Sequence, residues 1–206
     1  MLDEIWRKKL NAHFLLWQSG KLGFYIYLVK EPKFQKNDLL DLTGLKLRSH
    51  AAYKEWFELL NATNVVIPGP EMFSAFERGM LDGTGWSAIA FADLGVEKFV
   101  KYRVGPSVWQ LDILVIANAP KWDALPQNAR DIITKAAIEH EIETMGTYQA
   151  AAKKEEEFLK KAGIQLIELT GDRGEKHVKA AHDVIWERMQ KRAPENAKAL
   201  REKLYQ

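Results

Sequence analysis

Residues 41–87 read DLTGLKLRSHAAYKEWFELLNATNVVIPGPEMFSAFERGMLDGTGWS, and this stretch decides the fold. It contains two short apolar segments, 45–48 and 65–67, each followed by a pattern typical of an amphipathic helix. Arg48 ends the first segment, and a glycine-rich segment closed by Trp86 ends the stretch. Alternation of strands and helices predicts an α/β fold. Such folds bind ligands at the carboxyl ends of strands, where Arg48 stands.

The composition of the 206-residue chain is that of a globular protein, with 47% hydrophobic and 28% charged residues. The formal net charge is +2, from 30 basic and 28 acidic residues. This balance gives no electrostatic reason to expect nucleic acid or an anionic membrane as a partner. The chain has no cysteine. A disulfide framework, a thiolate zinc site and a cysteine nucleophile are therefore excluded.

The hydrophobic pattern of the remaining chain predicts further strands and helices. We predict strands at 13–17, 24–29, 98–104, 108–118 and 163–169, and helices at 3–11, 88–95, 125–161, 173–191 and 194–204. Segment 108–118 (VWQLDILVIAN) is the most convincing long strand, and we expect it at the centre of a buried sheet. The helix at 125–161 would be about 50 Å long at 1.5 Å per residue.

The common enzyme signatures are absent from the sequence. There is no G-x-S-x-G, Walker loop, G-x-G-x-x-G or H-E-x-x-H motif. The DGTGW segment lacks the third glycine of a nucleotide-binding turn, and we predict that it forms a loop presenting Trp86. None of the histidines has metal-ligand spacing, so we expect surface or capping roles for His13, His50, His140, His177 and His182. We expect no catalysis, no cofactor and no metal.

Arg48 is the leading candidate for an anion-binding residue. Its planar guanidinium group can grip a carboxylate through two parallel hydrogen bonds, a geometry that lysine cannot copy. A structural ion pair with an Asp or Glu is the alternative, and the residue pattern leaves both open. Trp86 follows two glycines, which suggests a ligand-contacting aromatic; a hydrophobic cap on the core is its alternative.

Three further residues are candidates for ligand contacts. Tyr53 belongs to the helix after Arg48, and its hydroxyl lies about one turn from that strand end. Gln110 and Asp112 are polar residues inside the predicted buried strand. A buried carboxylate must be paired or hydrogen-bonded. Arg48, a ligand hydroxyl or backbone N–H groups could each satisfy Asp112.

Five spaced motifs together resemble the solute-binding proteins of tripartite ATP-independent periplasmic (TRAP) transporters, the DctP family. They are DLTGLKLR (41–48), LLNAT (59–63), VVIP (65–68), EMFSAFERGMLDGTGWS (71–87) and WDALPQNARDIITKAA (122–137). The resemblance extends over about residues 8–170. It implies an α/β, periplasmic-binding-protein-like lobe of type II, TRAP-type, with a long hinge-spanning helix.

The resemblance implies a periplasmic binding protein that is not an enzyme. Such a protein captures a small organic acid and delivers it to the TRAP membrane permease subunits, which an ion gradient drives. In the family, the arginine at the position of Arg48 makes a salt bridge to the ligand carboxylate. The position of Trp86 points into the site and is Asn in sialic-acid-type and many C4-dicarboxylate members. The indole instead favours an aromatic, branched-chain or 2-oxo acid.

The resemblance also assigns roles to the other candidates. Trp86, Tyr53 and Phe73 would set the shape of the site, and Asp112 or Gln110 would bind a hydroxyl or oxo group. The N-terminus has no signal-peptide pattern, so a genuine start at Met1 would make the location cytoplasmic.

The chain lacks most of the N-terminal lobe expected for this family, which predicts an incomplete two-lobe architecture. We divide it into 1–40 (N-terminal helix and crossing strands), 41–107 (ligand-binding α/β lobe), 108–170 (inter-lobe strand, long helix and strand) and 171–206 (C-terminal helices). The missing lobe would leave apolar surface exposed, which favours a homodimer or instability. Two roles stay open: a fragment of a transporter's binding protein, or a shortened lobe acting as a ligand sensor or protein-interaction module.

Overall fold

A computed structural model describes residues 2–18, 22–111 and 113–204. The helices are α1 (Leu2–Leu10), α2 (Lys54–Leu59), α3 (Met72–Glu77), α4 (Ala119–Asp123), α5 (Gln127–Lys161), α6 (Gly171–Arg192) and α7 (Pro194–Leu204). The strands are β1 (Ala12–Gln18), β2 (Gly23–Leu28), β3 (Lys33–Phe34), β4 (Leu40–Asp41), β5 (Lys46–Ser49), β6 (Thr63–Val66), β7 (Gly83–Ser87), β8 (Tyr102–Gln110), β9 (Ile113–Asn118) and β10 (Gln165–Glu168). The predicted long helix and both C-terminal helices are confirmed.

Backbone contacts divide the chain into two compact units. The first comprises Met1–Leu22 and Gln110–Lys154, and the second comprises Gly23–Trp109 and Glu155–Gln206. The four-part division expected from the sequence stays a prediction. Among the described residues, no helix is long and apolar enough to cross a membrane.

The first unit contains an antiparallel pair of strands, β1 and β9, whose register runs from Ala12↔Asn118 to Gln18↔Ile113. Helix α5 is tied to β1 by polar contacts. Its Glu141 carboxylate accepts a hydrogen bond from the Trp17 backbone N–H at 2.6 Å, and its Tyr148 hydroxyl donates to Gln18 at 3.1 Å.

The prediction of one buried strand at 108–118 is wrong. The segment is divided between β8, which ends at Gln110, and β9, which begins at Ile113. The side chains of β9 from Ile113 to Ile116 are exposed in succession, by 36% to 50%. Adjacent residues of a strand point to opposite faces, so β9 is open on both of its faces over Ile113–Ile116, whereas β1 contributes the buried residues Ala12 and Leu16. The apolar sequence of segment 108–118 predicted a buried strand, but a strand is buried only where other elements pack on both faces of its sheet.

The second unit is built on a six-stranded sheet with the order β10-β8-β2-β7-β5-β6. Strands β5, β6 and β7 are parallel to one another, and β2 is antiparallel to β7. Alternate residues of β2 pack into two different clusters. One contains Phe24, Ile26, Leu47, Trp56, Phe57 and Ala181, and the other contains Tyr27, Met72, Phe76, Phe91 and Leu159. The sheet is therefore covered on one face by α2 and α6 and on the other by α3 and the end of α5, which confirms the α/β class.

We predicted that the DGTGW segment forms a loop, but its last four residues lie in β7, one of the two strands at the centre of the sheet. A Cβ atom at Gly83 would lie 2.5 Å from the Tyr27 carbonyl oxygen and 2.9 Å from Leu28 Cδ2. A Cβ atom at Gly85 would overlap the ring of Phe24. These glycines therefore permit close packing inside the sheet rather than a turn.

Two other local predictions are wrong. Segment 88–95 contains only the 3₁₀ turn Ala92–Leu94, because Ala90 adopts the left-handed conformation (φ 62°) and interrupts any helical path. The strand predicted at 98–104 begins at Tyr102.

His177 is buried rather than at the surface or a cap. Only 1% of it is exposed, and its ring lies 5.4 Å from that of Trp56 in an edge contact. Its Nδ1 has no hydrogen-bond partner within the described ranges. Burial lowers the pKa of His177 to about 4.

The neutral form of His177 should make stability depend on pH. The unfolded imidazole gains a proton below about 6.5, whereas the folded one stays neutral down to about 4. The contribution of neutral His177 to the free energy of unfolding is therefore complete above pH 6.5 and is lost as pH falls toward 4. We expect urea unfolding to show a loss of up to about 3 kcal/mol over that window. His177→Phe should remove most of this loss, and equal pH dependence in both proteins would contradict the assignment.

Gly85→Ala should destabilise the protein, because the added methyl group overlaps the buried Phe24 ring. We expect a loss of about 1–3 kcal/mol in the free energy of unfolding, measured with urea. Gly146→Ala is the matched control. Gly146 lies inside α5, and a Cβ atom there would have no neighbour within 4 Å, so alanine should stabilise the helix by up to about 1 kcal/mol. Equal effects of the two substitutions would refute the packing role of Gly85.

Candidate ligand-binding site

Arg48 lies near the carboxyl end of β5, where the parallel strands β5, β6 and β7 all end. It is only 8% exposed. Its Nε donates a hydrogen bond to the Ile67 carbonyl oxygen at 3.0 Å, just beyond the end of β6. Its Nη1 donates to the Tyr53 hydroxyl at 2.6 Å. Two bonds to separate elements hold the guanidinium group in one orientation.

The charge of Arg48 has no carboxylate partner within salt-bridge distance in residues 2–18, 22–111 and 113–204. Its Nη2 group likewise donates to no residue in those ranges. The structural ion pair that the sequence left open is therefore not found there. A buried cation of this kind costs free energy until an anion compensates it.

Tyr53 joins Arg48 to the adjacent strand β7. It is 6% exposed, and its hydroxyl accepts from Arg48 and donates to the Gly85 carbonyl oxygen at 3.5 Å. Burial raises the pKa of Tyr53, and the Arg48 charge opposes that rise. The phenol is thus protonated at neutral pH and can act as acceptor and donor at once.

Trp86 lies beside Arg48 on β7 and is partly exposed. The Arg48 Cζ atom is 5.4 Å from the Trp86 ring centroid, within the range of a cation–π contact. The indole also approaches Gly69, where a Cβ atom would lie 3.4 Å from Trp86 Cη2. Its Nε1–H is buried and has no acceptor among the described residues.

Asp82, which sequence reasoning missed, holds the two site strands in register. Its carboxylate accepts from the Lys46 backbone N–H at 3.0 Å, and its own N–H donates to the Lys46 carbonyl oxygen at 2.7 Å. Lys30 Nζ lies 3.1 Å from the same carboxylate. Burial works against ionisation, but these hydrogen bonds and Lys30 lower the pKa of Asp82. The Asp-Gly pair that begins β7 was the available signal.

The remaining predicted residues are not joined to Arg48 in this way. Phe73 packs against the ring of Phe99 at 5.7 Å, with Lys98 Nζ 4.3 Å from its centroid. Gln110 ends β8 with an exposed side chain and belongs to the first unit. Asp112 lies outside the described residues. The structure therefore brings together Arg48, Tyr53 and Trp86.

The described residues offer no cluster of metal ligands. In that part of the chain, no three His, Cys, Asp or Glu side chains are grouped so that they could hold a metal ion.

Comparison with curated proteins finds relatives that are considerably longer than this chain. A monocarboxylate 2-oxoacid-binding periplasmic protein of Nostoc sp. is 27% identical over 176 residues, which is 80% of this chain and 48% of the relative. The C4-dicarboxylate-binding periplasmic protein DctP of Rhodobacter capsulatus is 25% identical over 171 residues, covering 81% and 51% of the two chains. The chain thus spans about half the length of these relatives.

Solved structures of TRAP periplasmic solute-binding proteins have the same fold. The protein from Desulfovibrio salexigens with bound orotic acid has a TM-score of 0.81 at 19% identity, covering 97% of this chain and 63% of that one. The protein from Pseudomonas aeruginosa with bound L-malate has a TM-score of 0.75 at 20% identity, covering 90% and 64%. These matches confirm the predicted TRAP-type fold and its incompleteness relative to those chains.

A sequence profile tests family membership directly. The profile of bacterial extracellular solute-binding protein family 7, DctP, matches residues 35–193, well over half of the chain. The chain therefore belongs to the DctP family of bacterial extracellular solute-binding proteins.

Proposed function

We propose that this chain forms the ligand-holding part of a TRAP solute-binding protein. It would act outside the cytoplasm, capture a small organic carboxylate through Arg48, and deliver it to the membrane permease subunits. Family membership supports solute binding and transport, rather than catalysis, as the class of function. The carboxylate and the role of Arg48 are our inference from the geometry of the site.

The observation that carries the proposal is the buried, oriented and unpaired guanidinium of Arg48. The Ile67 carbonyl and the Tyr53 hydroxyl use two of its five N–H groups, which leaves one N–H on Nη1 and both on Nη2 for the two oxygens of a carboxylate. A ligand carboxylate would supply both the missing charge and the missing acceptor. Charge-assisted hydrogen bonds to a guanidinium are roughly twice as strong as neutral ones.

Trp86 supports a flat or apolar acid as the ligand. Its partly exposed indole lies beside Arg48, so a planar acid bound there could stack on the ring. Two of the similar proteins are consistent with this proposal: the Nostoc protein is named for monocarboxylate 2-oxoacids, and the D. salexigens structure contains orotic acid. Phe73, Gln110 and Asp112 remain proposed further contacts.

The chain alone should bind its ligand weakly. Binding proteins of this kind close around the ligand, and the contacts made only in the closed state supply much of the affinity. A chain spanning about half the length of its relatives makes fewer such contacts, while the cost of immobilising the ligand is unchanged.

Ligand-observed NMR, which detects weak complexes, tests the role of Arg48. We expect saturation transfer to benzoate and to 2-oxo acids, and little to the neutral analogue benzamide. Arg48→Lys should weaken carboxylate binding roughly tenfold or more, because lysine cannot form the two parallel bonds. Arg78→Lys, at an exposed arginine, is the matched control and should bind like the wild type. Indistinguishable binding by the two variants would rule out Arg48 as the carboxylate clamp.

We also propose that a second copy of the chain covers the apolar surface of the first unit. This surface consists of Ile113–Ile116 on β9 and of Ile138, Ile142 and Met145 on α5, which are 36% to 70% exposed. A two-stranded sheet is marginally stable by itself, and its free edges can pair with another strand. A second copy is the partner always available to the purified chain. A sensor or interaction module, the alternative role, would use the same surface.

Sedimentation velocity tests this association. We expect a dimer whose fraction rises with protein concentration, and its loss in Ile116→Lys, which places a charge on β9. Leu59→Lys changes an exposed apolar residue of the second unit (42%, against 50% for Ile116) and should leave the dimer intact. A monomer at all concentrations, or a dimer indifferent to both substitutions, would contradict the assignment.

A further inference from the structure

A second buried arginine, Arg103 on β8, lies on the sheet face that carries Arg48. It is 7% exposed, and its Cζ atom is 4.2 Å from the centroid of the Tyr25 ring. Its ion pair is weak. Nη2 lies 3.8 Å from Glu156, whose other oxygen is only 2.6 Å from Lys160 Nζ. Arg103 also interacts with the Tyr27 hydroxyl, and its charge opposes the rise that burial causes in the pKa of Tyr27. A neutral phenol does not balance the charge, so Arg103 is a second buried cation with only a weak carboxylate partner among the described residues.

Strand register relates the two arginines. Tyr25 on β2 pairs directly with Trp86 on β7, and Arg48 on β5 pairs with Thr84, two residues before Trp86. Because alternate residues of a strand share a face, Tyr25, Trp86 and Arg48 lie on one face. The ring contact of Arg103 with Tyr25 places it there too.

These four residues form a row across the adjacent strands β8, β2, β7 and β5: Arg103, Tyr25, Trp86 and Arg48. The outer strands are about 14 Å apart at ~4.8 Å per strand. Each guanidinium lies near the aromatic ring of the next strand inward, so the two cations are closer than their strands. The arginines are buried while both rings are partly exposed, so two cations flank an accessible aromatic floor.

Resting on the proposed function, we infer that Arg103 and Tyr25 form a second anion subsite, and that the ligand is a diacid with a flat or apolar middle. One carboxylate binds Arg48, the middle of the molecule stacks on Trp86 and Tyr25, and the second carboxylate binds Arg103. A monoacid leaves Arg103 with the neutral Tyr27 hydroxyl and the distant Glu156 carboxylate. Arg103 thus determines the preference for diacids over monoacids.

Two acidic side chains oppose a second carboxylate at this subsite. Glu156 competes for Arg103, and the Glu168 carboxylate lies over Gly105, beside Tyr25. Both carboxylates belong to accessible side chains, with 43% of the Glu156 side chain exposed. Neutralising Glu156 should therefore improve diacid binding without disturbing the core, which gives the inference a test by gain of function.

The test compares two matched pairs, terephthalate with benzoate and adipate with hexanoate. Binding to the 206-residue chain is followed by indole ¹H–¹⁵N shifts, with the Trp86 signal assigned from Trp86→Phe. We expect each diacid to bind roughly tenfold or more tightly than its monoacid, as for a charge-assisted hydrogen-bonded pair. Arg103→Met should abolish that preference while benzoate binding is retained, whereas Arg48→Met should weaken both members of each pair.

Glu156→Gln should increase diacid affinity severalfold and leave benzoate affinity unchanged. If Arg103→Met fails to fold, Glu156→Gln and Arg103→Lys test the second anion subsite instead. Benzoate binding that depends on Arg48, with no preference for terephthalate and no effect of Glu156→Gln, would overturn the second subsite and leave the proposed function standing. Absence of binding by all four acids would overturn both.

Discussion

The close approach of β7 to its neighbours is the constraint on which the rest of the structure depends. At Gly83 and Gly85 there is no room for a Cβ atom between the Tyr27 carbonyl oxygen, the Leu28 and Leu47 side chains and the Phe24 ring. Because these two positions of β7 carry no side chain, the aromatic rings on the α2 face of the sheet can pack directly against the β7 backbone. The same approach sets Trp86 beside Arg48 and opposite Tyr25. Packing and the candidate site thus have one origin.

The site holds positive charge that the described protein does not neutralise fully. Arg48 has hydrogen bonds to Ile67 and Tyr53 but no carboxylate partner, and Arg103 has a carboxylate only at 3.8 Å. Contacts with Trp86 and Tyr25 offset part of the cost of burying the two guanidinium groups. Fixed donors facing an accessible aromatic floor suit an anion that arrives from solution, because little reorganisation is required when it binds.

Sequence patterns predicted correctly those helices whose formation depends mainly on their own residues. The long helix α5 follows from its unbroken helical spacing, and α7 begins at Pro194, a residue suited to the first turn. The predictions were wrong where the conformation or burial of a segment depends on the elements packed against it. The DGTGW glycines suggested a loop, yet they serve strand packing, and the apolar run at 108–118 suggested a buried strand, yet β9 lacks covering layers. Arg103 gave no local signal, because its relation to Arg48 passes through two intervening strands.

The sequence by itself determined the α/β class, the family, and Arg48 at the end of a strand, because these depend on periodicity and motifs within short segments. Tertiary structure alone decided that Arg48 has no carboxylate partner in the described chain, that Tyr53 orients it, and that Asp82 holds β5 against β7. It also placed Arg103 on the same face. These features depend on which strands are neighbours and which side chains share a face, and residues far apart in the chain become partners only when the sheet assembles.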